Sequence, residues 1–494
     1  MKKITGFLLT ILLLSCFSCK KFITEKPYSF LSPANYFEDG NDAYAALLGV
    51  YSGLGENSYY SRFMFLVPTL ISDESVTITG DAASKQMDAL SYSSTLSSFL
   101  TLWRAIYVDI MRANVVIGRV PGVPMDEALK KQYIAEAKFL RALNYFNLVR
   151  FWGEVPLVKD EVEKLEDAYV GRASVKDVYD FIIQDLEDAK AVLPDKNPDG
   201  RAGKGSVTAL LAKVYLTRAS SEAAQEGDYK KCADLCKEVI GMSAFHLMDD
   251  FQQAIGANHE FNPESLFEWN GDREIGGSFT SAAQFALPSG VYGLVPENAT
   301  GESWFGGDRD FYNSISDQDY RKASTFITSG KDIDGNDLYY TSWPFPYPSP
   351  ARKFINPEST TRSGYAFGTN YVVLRLADVY LMRAEALNEI GGPGTEDAYA
   401  MINAIRARAR HGNGSSVSDY PADLSGLSQA SFRDSVLEER KVELAYEGHR
   451  FFDLIRTKRL LSVLPKAKEK HYLLPIPNTE ILLSKGKLTQ NTGW

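Results

Sequence analysis

Apolar positions recur at helical spacing along most of the chain from Tyr36 to about Ala244. Ala135, Phe139, Ala142, Phe146 and Val149 alternate in steps of four and three, and Leu140 and Leu143 add a second stripe. A helix with two such stripes is enclosed on more than one side. Val207, Leu210, Leu211 and Val214 mark another helix, with Ser206 predicted as its N-cap after the Gly-rich turn at 200–205. Helical periodicity returns from Val372 to Ala409 and from Phe432 to Leu461. In between, from Phe245 to about Asn370, it fails. Glycine, proline and aromatic residues crowd that stretch, as in Trp343-Pro344-Phe345-Pro346-Tyr347-Pro348. So long an irregular stretch within a folded chain is functional or disordered, and its aromatic content argues against disorder.

A short repeat links the helical blocks. Val214-Tyr215-Leu216-Thr217-Arg218-Ala219 returns as Val379-Tyr380-Leu381-Met382-Arg383-Ala384, and Phe139-Leu140-Arg141-Ala142 is a weaker third copy. Paired small and aromatic residues on such helices let one nest against the next, as in tetratricopeptide hairpins. The predicted fold is mainly α: a tetratricopeptide-like helical-hairpin scaffold carrying an irregular, loop-rich insertion lobe. The N-terminal scaffold is 36–244, the ligand-binding lobe 245–371, and the C-terminal scaffold with its closing segment 372–494.

The N-terminus changes the picture. Lys2 and Lys3 precede a short apolar run, Gly6 to Leu14, which reads as a secretion signal too short to span a bilayer. Ser15-Cys16-Phe17-Ser18-Cys19 follows, and a small residue before a cysteine resembles a bacterial lipoprotein box, whose thiol accepts diacylglycerol. Cys232 and Cys236, four apart in a predicted helix, are poorly placed to bridge each other and read as buried thiols. No cofactor and no metal site is predicted, because the five histidines are scattered. A net charge of −10 gives no support to nucleic-acid binding.

Several constellations invite chemistry. Glu439, Glu443 and Glu447 share a predicted helical face, and paired carboxylates hydrolyse glycosides. Arg440, Arg450 and Arg456 lie on the same segment, with Arg375, Arg383, Arg406 and Arg408 on other helices, so a structural ion-pair network is predicted instead. Asp332 to Asp337 fails the calcium-loop pattern, and Asp334-Gly335 reads as a hairpin turn. Gly203-Lys204-Gly205-Ser206 lacks half of a phosphate loop and reads as a turn into a helix. No catalytic residue is assigned.

The aromatic residues of the lobe remain: Trp304, Phe305, Trp343, Phe345, Tyr347 and Tyr292, with Tyr92 in a loop before Trp103. The C–H faces of a pyranose pack flat on such rings while its hydroxyls bond to polar edges. The same rings would also serve as the lobe's own small core. Candidate ligand-binding residues are Trp304, Trp343, Tyr347, Tyr292 and Tyr92, with Asp73 and Asp308 as polar partners.

Five blocks resemble the SusD/RagB family of outer-membrane nutrient-binding lipoproteins, in the order that family shows. They are Ala135–Ala142 running into Phe151-Trp152-Gly153-Glu154-Val155-Pro156-Leu157-Val158; Trp103 with Ala113-Asn114; Asn370 to Leu387; Glu439 to Leu454; and Leu474-Pro475-Ile476-Pro477 with Leu488-Thr489-Gln490-Asn491. The resemblance implies non-enzymatic capture of a glycan at the cell surface and delivery to a TonB-dependent, SusC-like outer-membrane barrel. Some branches bind peptides instead, and a glycoside hydrolase is the reading from another class. The family's spacing also favours Cys19 as the lipidated residue, with Cys16 the alternative. That makes 1–18 the signal peptide and 19–35 a tether anchored in outer-membrane lipid.

Overall fold

The computed structural model describes residues 36–255, 259–269, 304–331, 335–339, 346–354, 370–412 and 416–494. Cys16, Cys19, Tyr292 and Trp343 lie outside the described residues. The N-terminal helices are α1 (Gly40–Leu54), α2 (Phe63–Leu70), α3 (Ala82–Asp88), α4 (Ser97–Arg119), α5 (Glu127–Trp152), α6 (Val175–Lys190), α7 (Lys204–Ala219) and α8 (Asp228–Ile240). The lobe contributes α9 (Arg309–Ser314) and α10 (Tyr320–Thr325). After it come α11 (Leu376–Gly391), α12 (Ala398–Ala409), α13 (Gln429–Glu443) and α14 (Arg450–Arg456).

Neighbouring helices pack in a continuous series: α1 on α4, then α4 through α8 each on the next, then α8 on α11, and α11 on α12 and α13. This is the tetratricopeptide-like scaffold. All five residues of the first stripe on α5 are buried. The repeat motif has a physical job in each copy, because its arginine grips the helix that follows. Arg141 Nε donates to Asp185 on α6 at 2.7 Å, Arg218 Nε to Asp228 at the start of α8 at 3.0 Å, and Arg383 Nε to Asp397 ahead of α12 at 2.8 Å. Cys232 and Cys236 are buried free thiols on α8, as their spacing indicates.

Three antiparallel strand pairs tie the lobe to the scaffold or fold it on itself. They are β1 (Ser75–Thr77) with β3 (Phe305–Gly307), β2 (Ser265–Trp269) with β6 (Tyr371–Arg375), and β4 (Ser329–Lys331) with β5 (Asp337–Tyr339). The last pair is antiparallel and lies on either side of Gly335, which sits at φ +84°; Asp334 lies outside the described residues.

Three sequence expectations need correction. Val372–Arg375 is strand, and helix begins only at Leu376. Every residue of β6 is buried, and a run apolar on both faces carries no period to separate strand from helix. The segment from Phe432 to Leu461 is not one helix: it breaks after Glu443, where Tyr446 (φ +61°) and Gly448 (φ +77°) turn the chain into α14. Finally, Gly203 rather than Ser206 is the N-cap of α7. Ser206 stands three residues in, and its Oγ accepts the Gly203 N–H at 2.8 Å.

Candidate ligand-binding site

The β1–β3 ribbon organises the residues of interest. Its register pairs Thr77 with Phe305 and Val76 with Gly306, and Ile78 N–H continues it by donating to the Trp304 carbonyl at 2.7 Å. Side chains alternate across a strand, so Phe305 turns inward while Trp304 and position 306 share the other face. Phe305 is 1% exposed and packs on Phe65 with ring centroids 5.9 Å apart. Position 306 has to be glycine, because a Cβ there would stand 2.6 Å from Tyr347 Cβ. Tyr347 therefore lies over Gly306, on the side of the ribbon that carries Trp304, and both rings are half-buried.

Each of these rings carries an arginine. The Arg62 guanidinium lies 4.9 Å from the Trp304 ring centroid, and that of Arg309 lies 4.8 Å from Tyr347. Neither arginine is ion-paired among the described residues. Arg309 also donates to the Pro346 carbonyl at 2.6 Å, which fixes the segment bearing Tyr347. Val76, Ile78, Arg62 and Arg309 were missed in the sequence. The alternating β-branched run Val76-Thr77-Ile78 was the available strand signal, overlooked inside a region read as helical.

Asp73 and Asp308 flank the same ribbon, in roles already taken. Asp308 caps α9, accepting the N–H groups of Asp310 at 2.9 Å and Phe311 at 3.0 Å, and its own N–H donates to the Glu74 carbonyl. Asp73 pairs with Arg450 and Lys441, each at 2.7 Å. Burial would raise the Asp73 carboxyl, but the two cations outweigh it and hold it at about 2. Tyr92 belongs elsewhere, and the structure corrects its placement. It is 2% exposed, stacked on Trp494 at 5.2 Å and enclosed by Phe99, so it offers no open ring face. Sequence order gave no sign that the last residue of the chain would cover it.

Beneath the lobe lies the ion-pair network. Five carboxylates (Glu264, Asp319, Glu439, Glu443, Glu447) meet five cations (Arg321, Lys353, Arg375, Arg406, Arg408). Glu443 touches Arg321, Arg375 and Arg408 and is fully buried. Burial opposes its ionisation, but the three guanidinium groups hold its carboxyl far below the usual range. Glu447 is likewise held at about 2 by Arg375 and Lys353 against burial. Of the arginines singled out beforehand, Arg375, Arg406 and Arg408 join this network, whereas Arg383 serves the repeat. Arg321 and Lys353 come from the lobe, where no periodicity marked them.

Two family descriptions match the chain. "SusD family" matches residues 297–471, and "Starch-binding associating with outer membrane" matches residues 23–216. SusD-like protein P25 of Formosa agariphila is 29% identical over 95% of this chain and 92% of its own length. A SusD homolog from Bacteroides thetaiotaomicron superposes with a TM-score of 0.81, covering 94% of this chain and 98% of that one at 24% identity, a likeness of fold. A laminarin binding SusD-like protein superposes with a TM-score of 0.76 at 28% identity, over 93% of this chain and 100% of that one. With one description matching at each end, relatives aligned over nearly the full length and the expected scaffold in place, the chain belongs to the SusD/RagB family.

Proposed function

We propose that the protein captures a glycan on the outer face of the outer membrane and delivers it to a TonB-dependent barrel without cleaving it. The observation that carries this reading is the shared face of Trp304 and Tyr347 on the β1–β3 ribbon, each ring steadied by an arginine. Flat rings accept the apolar faces of a sugar, while guanidinium groups and exposed backbone meet its hydroxyls. The relative described as laminarin binding, and the description "Starch-binding associating with outer membrane", support a glycan over a peptide. Acylation at Cys19, or at Cys16, would hold the protein at the membrane.

One observation favours a hydrolase: adjacent Asp73 and Glu74 have carboxyls pushed apart, to about 2 and about 8. That split is what an acid and base pair needs. Glu74 is only 1% exposed, however, and Asp73 is committed to two cations, so neither is positioned to reach a substrate. Retention of the purified protein on a polysaccharide panel, with reducing-end release assayed in parallel, tests both readings. Retention without new reducing ends, weakened on the order of tenfold by Trp304→Ala, is the expected result. Sugar release that tracks the pure protein, or retention indifferent to Trp304→Ala, would refute it.

A further inference from the structure

A cavity of about 340 Å³ lies between the Gly-rich turn before α7 and the chain entering β2, away from the ribbon. Lys196, Asn197, Phe245, Phe261, Phe267 and Glu268 line it. It is a cleft open to solvent, walled by rings and edged by charge. Glu268 is the telling residue. It is 4% exposed, and no lysine or arginine among the described residues pairs with it. Its carboxylate meets neutral donors, Phe261 N–H at 2.8 Å, Asn370 Nδ2 at 2.9 Å and the Ser265 hydroxyl. Burying a carboxylate without a counter-charge is costly, and such a group keeps acceptor capacity for a further donor.

Phe261 sits at φ +54°, a backbone conformation unfavourable for a non-glycine residue. Glu268 holds its N–H, and Lys196 Nζ reaches its carbonyl at 3.4 Å. Gly200 and Gly205 give the rings room, since a Cβ at either would stand 2.1 Å from Phe261 or 2.3 Å from Phe245. Lys196 Nζ also stands 5.6 Å from the Phe245 ring centroid, so a cation, a buried anion and ring faces border one space.

We infer that this cavity is a second ligand site that takes a single hexose-sized polyhydroxylated ring. Phe245 and Phe261 meet its C–H faces, Glu268 accepts from its hydroxyls and Lys196 donates to them. The volume has room for one such ring: a cavity of about 150 Å³ holds benzene, and pockets for larger small molecules run from about 300 to 1,000 Å³. Its chemistry is that of a polyol, which needs acceptors and donors at the edges of an apolar slot. A purely anionic ligand would meet Glu268, and a purely apolar one would strand it.

The test is titration of the purified protein with D-glucose, D-galactose and D-mannose, read by saturation-transfer NMR. At least one hexose should saturate a single site. Glu268→Gln, which keeps the side chain's shape, or Lys196→Ala, at an exposed position that folding tolerates, should weaken it about tenfold. No saturation by any of the three, or saturation that both variants leave unchanged, would overturn the inference. The ribbon reading is scored separately, on polysaccharide retention, so either idea can fail while the other stands.

Discussion

Replacing Glu74 by glutamine should change how the protein's stability depends on pH, in a direction the structure fixes. Glu74 is 1% exposed directly ahead of β1, with Tyr446 N–H 3.3 Å from its carboxyl. Burial, reinforced by the charge of Asp73, lifts its carboxyl from 4.5 to about 8, against Arg450 and Lys441, which lower it. A group whose folded value is raised binds its proton more tightly in the folded chain. Its contribution is fully present below the unfolded value of 4.5 and is lost as pH rises through about 8. At roughly 1.4 kcal/mol for each tenfold step, the loss is on the order of 5 kcal/mol. Glu74→Gln keeps the shape and an acceptor for Tyr446 but removes the proton. Urea unfolding across this range, for both proteins, should show wild type falling several kcal/mol relative to the variant as pH rises, leaving the variant the more stable above pH 8. Asp109, raised by burial to about 7, titrates in both proteins and cancels in the difference. Parallel stability curves would refute the reasoning, because they would mean that Glu74 does not hold its proton in the folded state.

Glu443→Gln leaves Arg321, Arg375 and Arg408 with one buried positive charge uncompensated, and should cost about 3 to 5 kcal/mol in chemical unfolding. Tyr446→Phe removes the hydroxyl that donates to the Glu74 carbonyl at 2.6 Å, and should cost about 1 to 2 kcal/mol by the same measurement. Gly53→Ala should lower stability by about 1 to 3 kcal/mol, since its Cβ would stand 2.0 Å from Asp109 Oδ1 where α1 nests on α4; circular-dichroism melting checks it.

The scaffold was legible because its helices are periodic and its repeat recurs. A motif such as Val214–Ala219 marks a helix that nests on its neighbour, while the partner its arginine reaches shows only in the structure. The ribbon was harder to see, because β1 is three residues long and its partner β3 lies more than two hundred residues away in sequence. Trp304 and Tyr347 could be singled out by composition, but what joins them is the bare Cα of Gly306, which no spacing rule marks. Tyr92 was misread for the converse reason: its environment is supplied by Trp494, and nothing local to either residue couples them. The ion-pair network was half visible. Its acids repeat at helical spacing along Glu439, Glu443 and Glu447, yet the helix stops at Glu443, and Glu447 reaches the same cations from the turn beyond.

That turn explains how loops without regular structure can present a fixed face. Tyr446, the residue at φ +61° in it, donates its hydroxyl to the Glu74 carbonyl, and the same carbonyl accepts the N–H of Asp308 at the start of α9. One acceptor thus joins β1, the lobe and the scaffold. On either side of it, Arg450 holds Asp73, while Arg321 and Lys353 bring the lobe onto Glu443 and Glu447. Buried ion pairs add little net stability, because desolvation offsets most of their attraction, but a misplaced member is strongly unfavourable. Their effect is therefore to select one placement of the lobe among many of similar packing energy. The exposed rings of the proposed ligand face can vary on such a base, since the ion pairs that place the lobe lie below the surface.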